Sequence, residues 1–475
     1  MELRAHLDVN GGAPMIPAAA EAYLAAAARP GRERAQTLAA GFARALSDEY
    51  TFELLAGADA SVPAGADLRD DPTYSVAWAA GVADANCAVI TGAVRRYTHA
   101  TRRLPHVVTS AGDPPSVLAC CRALHAERAC ELTVLPLQRS GPALGTVDPA
   151  HVARALRANT CLLSVSAVSA DTGVINNLKQ IAGAARHARV PFHSDVTQLI
   201  GRSAFRPAAL GIDAWSASFA HLGAGTGLAV LAVRRAFSHG YGLAPYAGGA
   251  ASPAGELRAT ALGDPDADLG PPLAAALAAW RAAGGGRAAA LRAAAWARLG
   301  RSATCVLLDD CPADEPPSVD GGISPPSPPL HRGSPAGQRA LADATAGGRP
   351  AAVWVAPRDP RTVLPNTLLV AVCCRGFSAE SARTRLAAAG FSVGRPRAAT
   401  IAALDIPAVL RQGLLRFSFQ SSTLEEDVVA AIDLLCEHMT LSAERPHSAE
   451  RPHSAERPHS AERPRSAERK RIHKK

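Results

Sequence analysis

The segment IDAWSASFAHLGAGTGLAVLAVRR, residues 212–235, holds the densest group of side chains that could take part in a reaction. Two serines, a histidine and a glycine-rich turn lie there between apolar stretches. A second segment, PFHSDVTQ (191–198), ends an apolar stretch with Asp195 and Gln198. Such hydroxyl, imidazole, carboxylate and amide groups can bind anions or transfer protons. Neither segment contains a lysine, so neither supplies the amine that imine chemistry with a carbonyl compound requires.

Lysine is scarce along the whole chain. The four lysines are Lys179, Lys470, Lys474 and Lys475. Lys179 lies in NNLKQIA, where a helix is predicted to begin, so we expect it to be an exposed helix residue, and the other three lie in the C-terminal tail. Ten cysteines are present without a CxxC pair. This usage indicates neither a disulfide framework nor a metal site, and it favours a reducing, cytoplasmic environment.

The elements that must position these side chains alternate between short apolar stretches and Ala-rich stretches from about residue 15 to residue 300. Nearly continuous apolar strands that alternate with helices predict an α/β domain whose mostly parallel sheet is covered on both faces. The predicted strands are 106–110, 131–137, 161–168, 190–196, 214–219 and 228–234. The predicted helices include 115–127, 148–158 and 176–188.

A smaller α+β unit is predicted to follow a long connecting helix. Its predicted strands are 303–309, 351–357, 367–374 and 414–419, and its helices lie near 378–389 and 424–438. A stretch rich in Pro, Gly and Ser predicts a disordered insertion within it. The predicted organisation is an N-terminal segment 1–14, a large domain 15–265, a connecting helix 266–300, a small C-terminal domain 301–440 with the insertion at 311–349, and a disordered tail 441–475.

The C-terminal tail repeats SAERPH from Ser442 to about Arg469. A proline in every six residues prevents a continuous helix, and the repeat has no apolar face to bury. The net charge is +8, and the tail holds ten Lys and Arg against five Glu, which leaves +5 in the tail and +3 in the rest. Two interpretations stay open: a disordered appendage, or a basic tether that binds nucleic acid or directs nuclear import.

Membrane and secretory classes are disfavoured. No uncharged apolar stretch of about 18 residues is present. The N-terminal sequence MELRAHLDVNGGAP lacks the basic and apolar regions of a secretion signal. We therefore expect a cytoplasmic protein without a membrane partner.

Six segments, in one order, resemble the class V aminotransferase family, and within it the cysteine desulfurases of the NifS/IscS type. They are HLDVNGGAPM (6–15), VVTSAGDPPSVL (107–118), LLSVSAVSADTGVINNLKQIA (162–182), PFHSDVTQLIGR (191–202), VLPNTLLVAV (363–372) and LLRFSFQSSTLEEDVVAAIDLL (414–435). The resemblance implies a fold-type I enzyme dependent on pyridoxal phosphate (PLP), with a large α/β domain, a smaller C-terminal domain and usually a homodimeric assembly.

The resemblance implies roles for two residues of PFHSDVTQ. Asp195 matches the aspartate that pairs with the pyridine nitrogen of PLP, and Gln198 matches the glutamine that hydrogen-bonds the phenolic oxygen. An aspartate that only terminates a strand is the alternative for Asp195.

Both reactive groups of the resembled family are missing. The family pattern D-x-x-S-x-S-x-H-K places His221 on the PLP lysine in one register and Leu222 on it in the other. Neither side chain can form the internal imine. The desulfurase cysteine lies in a mobile loop that corresponds to FSVGRPRAAT (391–400), where Ala399 occupies its position.

Some of the other cofactor and substrate contacts that the resemblance implies are kept in this sequence. ITGAVRRY (90–97) resembles the family's phosphate-binding SGATEANN, so Thr91 is a candidate at a helix N-terminus. Ser218 is a second candidate phosphate contact, with a strand-end serine as the alternative. Arg416, in LRFSF, matches the arginine that holds the substrate carboxylate, and Arg258 loosely matches a second arginine. A surface arginine is the alternative for each. Pro114 replaces the ring-stacking histidine.

The absence of the PLP lysine and of the nucleophilic cysteine predicts a desulfurase-like pseudoenzyme that binds a protein partner or a small anionic ligand. The expected assembly is a homodimer, or a heterodimer with a related desulfurase. One alternative is an enzyme with residual sulfur- or amino-transfer activity that holds PLP without a covalent bond. Another is a role in nucleic-acid binding or localisation carried by the tail.

Overall fold

The computed structural model describes ten stretches of the chain: residues 4–11, 13–27, 54–56, 74–141, 143–203, 205–234, 261–262, 270–308, 330–355 and 362–444. The strands are β1 Ala5–Leu7, β2 Leu54–Ala56, β3 Tyr74–Ala79, β4 His106–Ser110, β5 Glu131–Leu135, β6 Thr160–Ser164, β7 Phe192–Asp195, β8 Ala214–Ser218, β9 Ala229–Arg234, β10 Ala261–Leu262, β11 Thr304–Leu307, β12 Leu330–His331, β13 Ala351–Trp354, β14 Thr367–Cys373, β15 Phe391–Val393 and β16 Leu414–Ser418.

The α-helices within these stretches are α1 Pro17–Ala27, α2 Val82–Thr101, α3 Pro115–Ala126, α4 Pro149–Ala155, α5 Leu178–His187, α6 Pro207–Leu210, α7 Gly270–Ser302, α8 Pro335–Ala346, α9 Ala379–Ala388, α10 Ala398–Ala403, α11 Ala408–Arg411 and α12 Glu425–Ala443. Several begin where local chemistry favours a first turn. Proline, whose missing N–H costs nothing at the first helical position, opens α3, α4, α6 and α8. The side chains of Asp148 and Asn177 accept backbone N–H bonds at the starts of α4 and α5.

The large sheet has the order β10-β3-β9-β8-β7-β6-β4-β5, with β2 paired to β3. Its strands are parallel except for β9, which runs antiparallel to both neighbours. Every residue of β4, β6, β7 and β9 is buried, because helices cover both faces of the sheet. The predicted α/β class is confirmed.

The second sheet has the order β12-β11-β13-β14-β16 and mixes parallel and antiparallel pairs. The predicted strands of this unit are present as β11, β13, β14 and β16, and its two predicted helices as α9 and α12. The N-terminal strand β1 pairs with β15 of this unit. This pairing brings the first residues of the chain to the side of the second sheet.

Three predicted details differ from the structure. Residues 330–349 were expected inside a disordered insertion, but 330–331 form β12 and 335–346 form α8, which is capped by Ser334. The expected tail from residue 441 begins late, because α12 continues to Ala443. Residues 311–329 and 445–475 lie outside the described residues, and the domain limits stay predictions. No helix among the described residues is long and apolar enough to cross a membrane.

Candidate functional site

A cavity of about 310 Å³ opens at the carboxyl ends of the large sheet. Its wall consists of residues that directly follow strands: Val82 after β3, Pro114 after β4, Ser166 after β6, Asp195 and Gln198 at and after β7, and His221 after β8. Arg416 of β16, together with Arg395 and Arg397 from the segment between β15 and α10, completes the wall. The carboxyl edge of a mainly parallel sheet is where α/β proteins bind ligands, and the volume lies at the lower end of small-molecule sites.

Asp195 is the buried carboxylate of this wall. Its Oδ2 accepts from Asn86 Nδ2 at 2.8 Å, and its Oδ1 accepts from the Thr197 backbone N–H at 3.0 Å. Burial raises the pKa of Asp195 above its ordinary value, and the hydrogen bonds from Thr197 and Asn86 oppose that rise. The carboxyl group is thus held in one orientation at the cavity. A positively charged or hydrogen-donating neighbour would stabilise its ionised form.

A chain of buried polar groups fixes that orientation from behind. Ser216 Oγ donates to Asn86 Oδ1 at 2.5 Å, which turns the Asn86 amide N–H toward Asp195. The His193 imidazole bridges Ser216 Oγ at 3.1 Å and Ser164 Oγ at 2.9 Å. Burial lowers the pKa of His193 to about 3, so the ring is neutral at pH 7. Sequence reasoning missed Asn86, whose role depends on contacts across three elements.

The structure distinguishes the two registers at the lysine position. His221 lines the cavity, and its Nδ1 is closed off from solvent without a hydrogen-bond partner among the described residues. Leu222 is fully buried in the core, where its methyl groups face Gly201. Of the two residues that the registers align with the family lysine, His221 lines the cavity and Leu222 does not. Burial, with help from Arg202 and Arg416, lowers the pKa of His221 to about 3.

Arg202 is a buried cation beneath this wall. Its Nη1 donates to Gln198 Oε1 at 2.5 Å and to Asn10 Oδ1 at 3.1 Å, and its Nη2 donates to the His221 carbonyl at 2.6 Å. The guanidinium also lies 5.5 Å from the ring of Trp280. Burial lowers the pKa of Arg202 to about 9, so it stays charged at pH 7. Within the described stretches no carboxylate lies within ion-pair distance of it.

Gln198 lines the cavity as the resemblance implied, but both ends of its amide already have protein partners. Its Oε1 accepts from Arg202, and its Nε2 donates to the Asn10 carbonyl at 3.3 Å. One N–H of the Nε2 group is left for a ligand.

Arg416 reaches the cavity but is engaged by internal carboxylates. Its Nε and Nη2 donate to Asp8 Oδ1 at 2.9 and 2.7 Å, and its Nη1 donates to Asp171 Oδ1 at 2.8 Å. Nη1 also donates to the Ala170 carbonyl at 3.2 Å. The arginine expected to hold a substrate carboxylate is thus already neutralised by the chain itself.

Asp171 also holds Arg397, which sequence reasoning missed. Arg397 Nε donates to Asp171 Oδ2 at 2.7 Å, and Arg397 Nη1 donates to the Asp113 carbonyl at 3.2 Å. The Thr400 hydroxyl donates to the same Asp171 oxygen. Asp171 therefore ties the segment before α10 to the large sheet.

Ala399, which the resemblance aligns with the desulfurase cysteine, is not part of the cavity wall. Ala399 is exposed on α10, whereas the family loop predicts a mobile segment there. Arg395 and Arg397 of the same segment line the cavity instead. Arg395 is exposed and makes no hydrogen bond or ion pair with the described part of the chain.

The prediction for Thr91 was wrong. Thr91 lies in the middle of α2, where its hydroxyl donates to the Cys87 carbonyl at 2.6 Å, so it is not at a helix N-terminus. The helix starts after Gly81, and the segment that ends a strand and begins a helix is AGVADANC, residues 80–87. The Ala-rich sequence of β3 hid that boundary. Val82, at the start of α2, lines the cavity, and the first N–H groups of the helix have no helical acceptor.

The remaining candidates differ in placement. Ser218 ends β8 and is not part of the cavity wall; its Oγ accepts from the Ala220 N–H at 3.3 Å, as expected of a strand-end serine. Pro114 lines the cavity where the family's ring-stacking histidine was expected. Arg258 lies outside the described residues. No group of three or more His, Cys, Asp or Glu side chains in the described stretches could hold a metal ion.

Comparisons with known proteins agree with this architecture. Residues 68–252 match the family model Aminotransferase class-V. A NifS-like protein of African swine fever virus (isolate Tick/Malawi/Lil 20-1/1983) is 37% identical over 131 residues, which is 28% of this chain and 33% of the viral protein. Cysteine desulfurase IscS of Anaeromyxobacter sp. (strain K) is 28% identical over 235 residues, 50% of this chain and 54% of that enzyme. The aligned segments thus span a third to about half of these curated relatives.

Solved structures extend the similarity of fold over most of the chain. A structure described as a NifS-like protein covers 92% of this chain and 100% of its own, with a TM-score of 0.65 and 14% identity. The apo structure of a cysteine desulfurase from Thermococcus onnurineus NA1 covers 92% of this chain and 94% of its own, with a TM-score of 0.62 and 16% identity. At such identities these structures show the fold alone. The family-model match over residues 68–252, the NifS-like and IscS relatives and this shared fold support the resemblance to the class V aminotransferases of the NifS-like type.

Proposed function

We propose that this NifS-like chain is a non-catalytic protein that binds a small anionic ligand in the cavity at the carboxyl edge of the sheet. The observation that carries the proposal is that His221, one of the two residues that the family pattern aligns with the lysine, lines the cavity. A neutral imidazole cannot form the imine on which PLP chemistry depends. Lys179, the one lysine of the described residues, is exposed near the start of α5 and does not line the cavity.

The missing thiol supports the same conclusion. The cavity wall within the described stretches contains no cysteine, and Ala399 points away from it. A desulfurase needs both the imine and a thiol that attacks sulfur. Neither group has a replacement beside Asp195.

The charges of the wall favour an anion. Asp8 and Asp171 neutralise Arg416 and Arg397. Burial raises the pKa of Asp195, so its ionised form is less favourable in the cavity than in water. What is left is a buried positive charge on Arg202 beneath His221 and the free guanidinium of Arg395 at the rim. An anion between them would offset the cost of burying Arg202 and could form charge-assisted hydrogen bonds with Arg395.

The cofactor of the related enzymes fits this cavity only in part. Asp195 and Gln198 are placed to meet a pyridine ring, and the start of α2 offers N–H groups to a phosphate. When bound, PLP supplies an electron sink, but the cavity wall formed by the described residues holds no lysine to anchor it. These contacts favour the second candidate, an enzyme with residual activity and non-covalent PLP. PLP is then one of the anions that the first proposal admits.

The deciding experiment incubates the purified full-length chain with PLP, treats it with borohydride and measures its intact mass. We expect no stoichiometric covalent adduct and no sulfide release from cysteine. The variant His221→Lys is the matched positive control, because its amine would lie in the cavity and should trap PLP. A stoichiometric adduct on the unaltered chain, sulfide release, or a spectral change when an amino acid is added to the PLP complex would overturn the non-catalytic proposal.

Anion binding has its own measurement. Calorimetry with PLP, with inorganic phosphate and with pyridoxal, which lacks the phosphate, should give affinities in that descending order. Arg395→Gln should weaken PLP binding by about tenfold, the effect of one charge-assisted hydrogen bond of about 1.5 kcal/mol. Arg154→Gln, an exposed arginine on α4, should leave it unchanged. Absence of binding for both anions would refute the anionic ligand.

The proposal also covers the assembly state of the protein, the role of its C-terminal tail and its location in the cell. We propose a homodimer, or a heterodimer with an active relative, on the basis of the family resemblance; light scattering of the full-length chain tests it. For the tail, which lies outside the described residues, the alternative role is nucleic-acid binding or nuclear localisation. Deletion of residues 445–475, which follow α12, should abolish that role and spare ligand binding. A cytoplasmic location is proposed from the cysteine usage and is tested by imaging of the tagged full-length chain.

A further inference from the structure

The connections that precede strands β4, β5, β6 and β7 lie side by side at the amino edge of the large sheet, opposite the cavity. The sheet order β7-β6-β4-β5 makes these strands direct neighbours. The Glu131 backbone N–H donates to the Pro105 carbonyl at 2.8 Å, and the His106 backbone N–H donates to the Asn159 carbonyl at 2.8 Å. Neighbouring strands lie about 4.8 Å apart, so the four strand starts form a row about 14 Å long.

Arginine dominates this row. We define the basic edge as the ends of helices α2 to α5 with the connections that follow them, residues 95–104, 122–130, 154–159 and 186–191. These segments contain ten arginines and a single acidic residue, Glu127. Nine of the arginines are exposed, so their charges face solvent and are open to a partner.

The charge of the folded part is therefore segregated. Residues 1–441 have a net charge of +3, whereas the basic edge alone has +9, which leaves −6 for the remainder. Two further carboxylates at this end of the sheet already have partners. Glu131 binds Arg157 Nη1 at 3.2 Å, and Asp213 Oδ2 accepts from the Phe192 backbone N–H at 2.9 Å. Most of the positive charge at this edge is not neutralised by the described part of the chain.

Three of these arginines adopt a backbone conformation that favours glycine. Arg102, Arg128 and Arg189 follow the ends of α2, α3 and α5 with φ of 56°, 58° and 56°. Glycine adopts this conformation without the steric cost of a side chain, and the chain contains 39 glycines. None of the three has a carboxylate within 4.0 Å among the described residues. A cation can compensate the dipole at a helix end, but Arg186 already supplies one inside the last turn of α5.

We propose that the basic edge binds the phosphate backbone of a nucleic acid. All ten cations are arginines, whose planar guanidinium group can bind a phosphate through two hydrogen bonds. Duplex DNA carries one charge per about 1.7 Å of its axis, so a row about 14 Å long meets several phosphates at once. A membrane surface fits less well, because surface-bound helices also insert apolar side chains. Leu104 is the one large apolar side chain exposed within the basic edge.

This surface is independent of the ligand proposal. The cavity lies at the carboxyl ends of the strands, and none of its lining residues belongs to the basic edge. Phosphate contacts position a protein on nucleic acid but carry no base information. We therefore expect binding that does not depend on sequence, whichever ligand the cavity holds.

The salt dependence of DNA affinity tests this inference. Fluorescence anisotropy measures the affinity of the full-length chain for a labelled DNA duplex of mixed sequence over a series of salt concentrations. The test variant combines Arg102→Gly, Arg128→Gly and Arg189→Gly and keeps the C-terminal tail. Each lost phosphate contact lowers the steepness of log affinity against log salt by about 0.9, so we expect a decrease of about 3 and binding at low salt weaker by more than about tenfold.

Two comparisons separate charge from folding. Because glycine suits the left-handed backbone at these positions, the melting temperature of the triple glycine variant should not fall. The triple lysine variant at the same positions keeps the charges and should keep the salt dependence of the wild type.

The matched control combines Arg301→Gln and Arg339→Gln, two exposed arginines on α7 and α8 outside the basic edge, and should leave DNA affinity unchanged. No DNA binding by the wild type at low salt would overturn the proposal. An unchanged salt dependence in the triple glycine variant would assign the binding to another part of the chain and overturn it equally. Tighter binding to anionic lipid vesicles or to polyglutamate than to DNA would refute the choice of nucleic acid as the partner.

Discussion

Substitution of Asp171 by Asn tests whether the ion pairs at the cavity hold the two sheets together. Asp171 is fully buried and accepts from Arg416 Nη1 at 2.8 Å, from Arg397 Nε at 2.7 Å and from the Thr400 hydroxyl. Asparagine keeps the shape but removes the charge, so two guanidinium groups lose their common partner. Removing one member of a buried pair costs about 3 to 5 kcal/mol, because the remaining charge is uncompensated. We expect the free energy of unfolding to fall by about that amount.

The assay is urea denaturation of the wild type and the variant at pH 7, followed by circular dichroism. Glu131→Gln is the matched control: Glu131 pairs with Arg157 Nη1 at 3.2 Å, but both side chains are about half exposed. Exposed pairs contribute about 1 kcal/mol or less. If Asp171→Asn loses no more stability than Glu131→Gln, the buried network does not join the sheets as inferred.

Three further substitutions probe the cavity wall. The pKa of His221 is lowered from 6.5 to about 3, so the native state resists protonation and the free energy of unfolding falls as pH drops below 6.5. At pH 5 this loss amounts to about 2 kcal/mol, and His221→Gln should remove it. Urea denaturation of the wild type and the variant across pH measures the difference. The pKa of Asp195 is raised, so its contribution to stability is fully present below the ordinary pKa of 3.8 and is lost as pH rises through the folded value. The stability of the wild type relative to Asp195→Asn should therefore fall between pH 3 and pH 7, and an equal gap at both pH values would contradict the burial argument. Gly223→Ala (φ +78°) should lower the melting temperature more than Gly141→Ala (φ +75°). A Cβ at Gly223 would lie 2.7 Å from Ile16 Cγ2, whereas a Cβ at Gly141 has no described atom within 4 Å. Equal losses would show that the positive backbone angle alone sets the cost of each substitution.

The central strands could be predicted because burial on both faces leaves a continuous apolar signature. Strand β4 lies at its predicted limits, 106–110, and β9 starts one residue after its predicted start at 228. Strand β3 has the sequence YSVAWA and continues into an Ala-rich helix, so composition gave no clear boundary there. The error at Thr91 follows from that boundary, because an anion site at a helix start depends on where the helix starts.

The candidate site was predictable only where it stays within one segment. Asp195 and Gln198 lie on one turn after β7, so a motif identified them together. Asp8 and Arg416 are 408 positions apart and meet because β1 pairs with β15, beside the segment that contacts Arg416. No local spacing encodes such a contact. Arg397 was hidden for a second reason: in a chain rich in arginine, one more arginine carries little information.

Arg416 shows why a retained motif does not imply retained catalysis. A substrate carboxylate at this position would have to compete with Asp8 and Asp171, which already bind all three guanidinium nitrogens. Displacing either one would leave a carboxylate without its partner in a largely buried site, at a cost of several kcal/mol. Arg395 carries no such constraint, because nothing in the described stretches binds its guanidinium. An anionic ligand would therefore meet its free arginine at the rim, while Arg416 joins β16 to Asp8 and Asp171.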